Sequence, residues 1–297
     1  ERKLKASDLS FYLGPCINAA GRIGDSKLGF NLLTNNDENA LDDIANKLIV
    51  NNQERKTLEN LAYIEAKKLI KEEDSDDFIF LYSKKWHPGI VGIIASKLVE
   101  EYNKPAFVLS IQGIRATGSV RSVKHINISN IIDLLKKNKL IDAGGGHSMA
   151  GGLSIQVNKI KQINLFFRNN SYLFKTNSQN SIQIDVIADI ANINLNIIEK
   201  LEKLEPYGFG NKEPRFVIRN LRASFTRFIG KEKNHILCSL EDIFGNQIKA
   251  IAFNSFYNKI GLALKEKKSF HALGKIEINQ WLSERKLQFF IEDLILI

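Results

Sequence analysis

The sequence predicts two folded parts, an α/β domain followed by an all-β domain that forms a small barrel. Three observations predict this division. Residues 78–111 run strand, helix, strand, which is the pattern of a βαβ unit. Residues 171–181 are polar and include the unbroken run Asn-Ser-Gln-Asn-Ser at 177–181, which indicates a linker. After this linker, short β-type runs follow one another with one helix between them, as in small barrels.

The first 36 residues are predicted to be irregular, because Gly14-Pro15, Gly21 and Gly24 favour turns over regular elements. A segment of this size buries too little surface to fold alone, so we expect it to be the end of a larger domain. The chain begins with Glu1 and shows no signal-peptide pattern, so we expect it to be processed or part of a longer protein.

Residues 37–73 contain no Gly or Pro, and their apolar residues recur at helical spacing, which predicts one long helix. The middle of this helix, residues 51–56, is polar all round. That pattern suits a strut between two domains. Two shorter helices broken near Asn51 are the alternative.

The elements of the two domains follow from hydrophobic period and turn residues. In the α/β domain, Ser129 is the predicted N-cap of the helix that begins there. The predicted order in that domain is strand 78–83, helix 89–102, strand 106–111, strand 114–122, helix 129–138, glycine-rich loop 143–152, strand 153–157 and helix 159–170. The barrel is predicted from strands 182–187, 215–219, 222–229, 235–240, 247–253, 269–278 and 286–296, with a helix at 194–204 and a hairpin turn at 230–234.

The positive charge is concentrated in the α/β domain. The chain has a net charge of +9, and residues 78–179 alone hold 14 basic and 4 acidic side chains. A block of this kind favours a phosphate-bearing partner, although an excess of lysine also serves solubility. No apolar run is long enough to cross a membrane, and Cys16 and Cys238 form no CxxC motif. We therefore expect a cytoplasmic protein without disulfides.

Two motifs of the α/β domain have the chemistry to bind phosphate. Trp86-His87-Pro88-Gly89 precedes a helix, whose N-terminus attracts anions through its free N–H groups. Ser119 and Arg121 alternate on a strand, so both face one side and together can grip one phosphate. A structural turn and a solvated strand face are the alternatives.

A third motif, residues 144–152, holds five glycines in nine positions. Glycine lets the backbone approach a ligand closely, and His147 within the run can donate to a phosphate. A flexible hinge is the alternative. Metal binding is not predicted, because the five histidines form no HxH or HExxH pattern and the acidic run 72–77 is typical of a solvated loop.

Six motifs in this order resemble the C-terminal part of the RecJ family, the bacterial single-strand-specific exonucleases of the DHH phosphoesterase superfamily. The resemblance covers nearly the whole chain. The motifs are Ile17–Arg22, Asn52–Arg55, Trp86–Gly92, Gly118–Ser122, Gly144–His147 followed by Ala150-Gly151, and Leu204–Asn211.

The resemblance implies four segments. Residues 1–36 are the end of a DHH catalytic domain, 37–73 the interdomain helix, 75–172 the DHH-associated domain and 180–297 an OB-fold. It also implies a terminal nucleotide held by Arg22, His87, Ser119, Arg121, Gly144, Gly145, Gly146 and His147. On the OB-fold, DNA-binding candidates are Arg222, Arg227, Lys231 and Lys233, together with Arg215, Arg219, Phe225 and Phe228.

By the same resemblance, the whole protein is a metal-dependent 5′-to-3′ exonuclease of single-stranded DNA, used in DNA repair and recombination. Its divalent metal, Mn²⁺ or Mg²⁺, binds in a domain that this sequence lacks, since it contains no Asp-His-His tripeptide. No catalytic residue is therefore expected in this chain, and the chain alone is expected to be inactive. Expected partners are single-stranded DNA, the missing domain, a single-stranded-DNA-binding protein and a helicase, with no membrane.

Three other functions remain open from the sequence. One is a fragment that binds single strands without cutting them. A second is another DHH-superfamily phosphoesterase that acts on oligonucleotides, which residues 180–297 disfavour because such enzymes lack the OB region. A third is an RNA-binding domain like that of alanyl-tRNA synthetases, which the Ala19–Arg22 segment and the long helix disfavour.

Overall fold

The computed structural model describes residues 6–72, 77–175, 182–208, 210–230, 233–256, 258–266, 268–281 and 284–297. They form two compact units, one within residues 1–179 and the other within 180–297. Helices and strands are numbered below in chain order across both units. No helix in the described ranges is both long and apolar enough to span a bilayer.

The N-terminal segment is helical, and the prediction of an irregular segment was wrong for its described residues. It forms α1 (Ala6–Asp8), a π-helical turn at Leu9–Leu13, α2 (Gly14–Ile23) and α3 (Lys27–Thr34). Pro15 lies in the first turn of α2, where its missing N–H breaks no intrahelical hydrogen bond. Gly24 then ends the helix by donating its N–H to the carbonyl of Ala20.

A single helix, α4 (Glu38–Glu72), follows, so the long helix is confirmed and the two-helix alternative was wrong. It packs against α2 and α3 in its first half. Its second half places Ala62 and Ala66 in a core with the α/β domain. The middle of the helix is polar in sequence, but Asn52 and Arg55 within it, and Glu59 one turn further on, are buried.

The α/β domain is a five-stranded sheet with helices on both faces. Its order is β1-β2-β3-β5-β4, with β1 and β2 parallel, as the βαβ pattern predicts, and the other pairs antiparallel. One face packs on α4 and α5, and the other on α6 and α7. The elements are β1 (Ile79–Ser83), α5 (Val91–Tyr102), β2 (Ala106–Gln112), β3 (Arg115–Arg121), α6 (Ile128–Lys137), β4 (Ala143–Gly146), β5 (Ala150–Gln156) and α7 (Ile160–Asn169).

Three details of this domain differ from the prediction. Asn127, not Ser129, caps α6, because its side chain accepts from the N–H groups of Ser129 and Asn130. The glycine-rich segment is a hairpin of β4 and β5 and not a loop. Phe174, near the start of the predicted linker, is buried against Phe78 and Phe107 in the core. Residues 176–181 of that linker lie outside the described residues.

The second unit is a closed β-barrel, as predicted. Its sheet order is β10-β11-β9-β8-β7-β6, and a further pairing of β10 with β7 closes the barrel. β9 pairs with β11 and β6 with β7 in parallel, while the other pairs are antiparallel. The elements are β6 (Val186–Ala188), α8 (Leu195–Glu202), β7 (Phe216–Ile229), β8 (His235–Glu241), β9 (Gln247–Ala252), α9 (Lys259–Lys265), β10 (Phe270–Trp281) and β11 (Glu284–Leu296).

Two features of the barrel were not predicted. β7 is one long strand where two were expected, and a register shift between Ser224 and Arg227 bends it. Helix α9 was missed because it has only seven residues and contains Gly261. Asn258 caps it by accepting from the N–H groups of Ile260 and Gly261.

Candidate functional site

Ser119 and Arg121 lie on the face of β3 that looks toward α5. They pair across the sheet with Val108 and Ala106, which belong to the core shared with α4 and α5. Gly92, in the first turn of α5, makes room for them. A Cβ at Gly92 would lie 3.1 Å from the Oγ of Ser119 and 3.4 Å from a terminal nitrogen of Arg121. The strand face and the helix N-terminus therefore meet at one place.

Arg22, in the last turn of α2, reaches the same place. Its guanidinium donates to the carbonyl of Gly89 at 3.3 Å. The contact is close because Gly89 has no side chain. A Cβ there would lie 1.9 Å from the carbonyl oxygen of Arg22. The end of α2 is thus pressed against the turn that precedes α5.

The guanidinium groups of Arg22 and Arg121 lie close enough for their charges to interact, and neither has an acidic partner among the described residues. Burial lowers the pKa of Arg121 below its usual value, and the nearby charge of Arg22 lowers it further. Within the described ranges, the two guanidiniums donate only to backbone carbonyls, of Gly89 and Val120. Two cations held together without a counter-ion form a site for an anion, and guanidinium groups match the oxygens of a phosphate.

The turn before α5 is fixed by buried contacts. The indole of Trp86 donates to Glu65 of α4 at 3.1 Å, and its carbonyl accepts from the hydroxyl of Ser110 at 2.6 Å. His87 is exposed, and its Nδ1 accepts from the N–H of Gly89 at 3.1 Å. In the neutral imidazole the proton is therefore on Nε2, which makes that nitrogen a donor. The N-cap residue of α5, Ile90, makes no side-chain cap hydrogen bond, and its carbonyl accepts from the N–H of Ile93 at 2.9 Å. Among the described residues, this leaves the N–H groups of Val91 and Gly92 without a partner at the start of the helix.

The glycines of the β4–β5 hairpin divide into two sets by the space at their Cβ positions. A Cβ at Gly151 would lie 2.5 Å from Ile132 of α6, and one at Gly146 would lie 2.3 Å from the carbonyl of Ala150. Gly144 is also crowded, by Ile132 and Ile141 at 3.0 Å each. These three glycines are required by packing and by the hairpin itself.

Gly145 and Gly152 pair with each other across the hairpin, and no packing contact requires a glycine at either position. A Cβ at Gly145 would meet nothing within 4 Å, and one at Gly152 would meet only the carbonyl of Gly118 at 3.7 Å. Gly152 also pairs with Ser119, so both open glycines lie on the face that carries Ser119 and Arg121. We call this bare patch of backbone the glycine floor.

The hairpin tip carries His147, which is exposed and donates its backbone N–H to Ala150 at 2.8 Å. The tip is tied to the domain by backbone hydrogen bonds from Ser122 to Met149 and from Ile128 to Ser148. Since Ala150 pairs with Arg121, the tip begins beside the arginine. The structure thus brings Arg22, Ser119 and Arg121 together, with Gly145 on the same face two strands from Ser119, whereas Gly144 and Gly146 serve the fold.

Among the described basic residues predicted in the barrel, Arg219, Arg222, Arg227 and Lys233 are exposed and Arg215 is half-buried, and their contacts differ. Arg222 donates to the hydroxyl of Ser269 at 3.0 Å, and Arg215 and Arg219 are in ion pairs with Glu292 and Asp189. Two other cations, Arg227 and Lys233, are exposed, and Lys231 lies outside the described residues. Of the two predicted aromatic residues, Phe225 is 84% exposed, whereas Phe228 packs on Phe256 and under the ammonium of Lys265.

Sequence reasoning missed an aromatic patch on the outer surface of the barrel. The rings of Phe253 and Phe290 stack with their centroids 5.9 Å apart, and His235 meets Phe253 edge-on at 5.1 Å. Ile251 lies beside Phe290 in the register of β9 and β11. The signal was present in the alternation of β9. Ala250 and Ala252 lie in the barrel core, so Ile251 and Phe253 lie on the opposite face, where Ile251 is covered and Phe253 is 52% exposed.

The described residues contain no group of three or more His, Cys, Asp or Glu side chains that fits a metal ion. Four residues of the acidic run 72–77, Glu73–Asp76, lie outside the described residues. The prediction of a solvated loop there stays a prediction.

Comparison with known proteins gives two domain matches. Residues 75–170 match the DHHA1 domain model, and residues 184–293 match the RecJ OB domain model. Among curated proteins, the single-stranded-DNA-specific exonucleases RecJ of Escherichia coli and Haemophilus influenzae are each 30% identical, over 99% and 97% of this chain. RecJ of Bacillus subtilis is 27% identical over 96% of it.

The chain spans about half the length of these relatives, or less. It covers 52%, 51% and 36% of the E. coli, H. influenzae and B. subtilis proteins. Solved structures of RecJ from Thermus thermophilus, in complex with Mn²⁺ and with Mg²⁺, share the fold with TM-scores of 0.80 and 0.77. Their identities are 24% and 23%, each covers 98% of this chain, and this chain covers 42% and 44% of them.

Proposed function

Because the chain corresponds to the C-terminal part of RecJ and carries its DHHA1 and OB domains, we propose that it is the substrate-binding part of a single-strand-specific 5′-to-3′ DNA exonuclease. One observation carries the proposal most directly. Arg22 and Arg121 lie near each other with no carboxylate paired to either in the described part of the chain, beside Ser119 and an open floor of glycine backbone. This arrangement suits a phosphate with a nucleoside attached.

In the proposed complex, a terminal phosphate lies between the two guanidinium groups, which supply parallel N–H donors to its oxygens. The Ser119 hydroxyl and Nε2 of His87 are further donors, and the uncapped N-terminus of α5 adds its partial positive charge. The sugar and base lie over Gly145 and Gly152, where the absence of side chains lets a flat ring approach the backbone.

We propose that the divalent metal of the whole enzyme, Mn²⁺ or Mg²⁺, is held by residues outside this chain. The donor set described here does not fit such an ion, which binds to convergent oxygen ligands. The part played by this chain is therefore to bind and orient the strand. The chain alone is expected to bind single strands without cutting them, as the non-catalytic alternative also predicts.

Residues 1–36 are proposed to complete the catalytic domain of the whole protein. In the described part of this segment, several large apolar side chains are exposed to solvent together. A complete domain rarely exposes so many of them in one place. The exposed fractions are 58% for Leu9, 76% for Phe11, 69% for Tyr12, 68% for Phe30 and 71% for Leu33. Such a surface suits continuation into a neighbouring domain.

The barrel is proposed to bind the strand through its outer aromatic patch. The strand pairing that closes it matches an OB-fold, which binds oligonucleotides on the face of its second and third strands, here β8 and β9. Phe253 directly follows β9 and is 52% exposed, so its ring is open to stacking with a base. Lys249 on the same strand offers a charge for the backbone. A single-stranded-DNA-binding protein, a helicase and a cytoplasmic location stay predictions.

The test is a binding and cleavage assay on this chain. Anisotropy with a labelled single strand and its duplex, titrated with salt, should show preference for the single strand. The slope of log K against log salt should be about −0.7 for each phosphate neutralised. With Mn²⁺ added, no mononucleotide should be released. Equal affinity for duplex, a flat salt response, or chelator-sensitive release would each contradict the proposal.

A further inference from the structure

A row of buried polar side chains crosses the middle of α4. Asn52, Arg55 and Glu59 are exposed by only 7%, 8% and 7%, and their spacing of three and four residues places them on one face of the helix. Charged side chains are rarely buried to this extent unless they are paired. Nothing in the proposed phosphate site uses these three residues directly.

The row is a continuous chain of hydrogen bonds from α2 to α5. The amide nitrogen of Asn52 donates to the sulfur of Cys16 in α2 at 3.0 Å. Its oxygen accepts from Nε and from a terminal nitrogen of Arg55 at 3.2 and 3.0 Å. Arg55 also donates to Glu59 at 2.7 Å, and the second carboxylate oxygen of Glu59 pairs with Lys97 of α5 at 2.6 Å.

The two helices joined by this chain carry the two sides of the proposed site. Helix α2 ends with Arg22, whereas α5 begins next to Ser119 and Arg121. The end of α2 is also fitted against α4 at Gly24, where a Cβ would lie 3.0 Å from the amide nitrogen of Asn51. The distance between Arg22 and Arg121 therefore depends on how α2 and α5 are held against α4.

We infer that Asn52, Arg55 and Glu59 are positioning residues, which set the spacing of Arg22 and Arg121 for a terminal phosphate. The inference rests on the proposed function of that site. Two like charges repel, so the site keeps its spacing only if the backbone elements that carry them are fixed. A hydrogen-bonded row specifies one alignment of α2 on α4, since its donors and acceptors match in a single register. An apolar contact would allow sliding.

The competing explanation is that the row only stabilises the helices. Buried ion pairs are weak evidence for stability, because apolar residues of similar size often replace them without loss. The two explanations therefore differ in what an apolar replacement does. If the row is only structural, the replaced protein binds as the wild type does. If the row positions Arg22, the protein folds but binds the phosphate poorly.

The experiment measures the affinity of the 297-residue chain for a 5′-phosphorylated oligothymidylate, together with a thermal melt. One variant combines Asn52→Leu, Arg55→Met and Glu59→Leu. A second, Asn52→Asp, keeps an acceptor for Arg55 and replaces the donor to Cys16 by a carboxylate oxygen, which also adds a negative charge. Each is also made in an Arg22→Ala background. The control is Lys67→Gln. It removes the exposed ion pair between Lys67 of α4 and Glu101 of α5, which does not involve α2.

We expect both variants to keep a folded, cooperative melt and to bind at least about tenfold more weakly, while Lys67→Gln binds normally. In the Arg22→Ala background, neither should cause a further loss, because the residue they position is gone. Wild-type affinity in folded Asn52→Asp would overturn the inference, as would an equal loss with and without Arg22. If the triple variant fails to fold, Asn52→Asp decides the question alone. If Arg22→Ala itself binds normally, the phosphate site fails and the inference with it.

Discussion

Alanine substitutions at two neighbouring glycines, one in the glycine floor and one in the core, should affect ligand affinity and folding stability differently. At Gly152, a methyl group would meet only one carbonyl oxygen at 3.7 Å, an ordinary van der Waals contact. Since glycine within a strand is less stable than alanine by roughly 0.5–1 kcal/mol, Gly152→Ala should leave the fold as stable or slightly more stable. The methyl group would, however, stand where the ligand is proposed to lie.

At Gly151, on the other face of the same strand, the methyl group would lie 2.5 Å from Ile132, which is fully buried. Inserting a methyl group into a packed core costs about 1–3 kcal/mol. For a unit of this size, each kcal/mol lowers the melting temperature by about 2–4 °C. Gly151→Ala should therefore melt about 2–12 °C lower.

The assay pairs a thermal melt with the affinity for a 5′-phosphorylated oligothymidylate. Gly152→Ala should melt like the wild type and bind at least about tenfold more weakly, about 1.4 kcal/mol, because the methyl group keeps the sugar and base from the backbone. Gly145→Ala should behave in the same way, because its Cβ position is also open. Wild-type affinity in both Gly145→Ala and Gly152→Ala would refute the reasoning. A large drop in the melting temperature of Gly152→Ala would show that the floor is packed and not open.

Three further predictions concern single residues. In a titration, Arg121→Ala should lower the affinity for the phosphorylated strand by about 1.5–3 kcal/mol. Arg121→Lys should restore only part of this affinity, because an ammonium lacks the two parallel donors of a guanidinium. Full rescue by lysine would argue against bidentate binding. Phe253→Ala should weaken binding of single strands by about 1–3 kcal/mol per stacked base, measured by anisotropy; an unchanged affinity would remove the aromatic patch from the DNA-binding surface. Burial raises the pKa of Cys238 to about 12, so this thiol should stay unmodified by a thiol reagent at about pH 8 until the protein is denatured; rapid labelling of Cys238 in the native protein would contradict its placement in the core.

The sequence was sufficient to predict the architecture where hydrophobic period is strong. The βαβ pattern of residues 78–111, the helix 37–73 and the run of strands after the linker all appear in the structure. The resemblance in motif order also identified the relatives correctly. These features depend on local periodicity and on short motifs, both of which are visible in a single sequence.

The errors arose where tertiary contacts override local signals. Pro15 and Gly21 suggested turns, but a proline in a first helical turn does not oppose helix formation. The burial of Asn52, Arg55 and Glu59 could not be read from their polarity, and it is made acceptable by hydrogen bonds and ion pairs with one another, with Cys16 and with Lys97.

Part of the candidate site was likewise beyond sequence reasoning. Arg22, Ser119 and Arg121 were named from motifs, but their convergence depends on Gly89 and Gly92, which admit α2 and β3 to the N-terminus of α5. The glycine run was treated as one unit, whereas strand alternation in the folded hairpin divides it into crowded and open positions. Gly152 belongs to the run 144–152 but was not among the site residues that the resemblance implied.

The central claim is that this chain holds a terminal phosphate of single-stranded DNA between Arg22 and Arg121. The most direct measurement compares the affinities of the wild-type chain for two oligothymidylates that differ only in a 5′-phosphate or a 5′-hydroxyl. We predict that the phosphorylated strand binds at least about tenfold more tightly, and that Arg121→Ala removes this difference without changing the affinity for the hydroxyl strand. Equal affinities of the wild-type chain for the two strands would contradict the account.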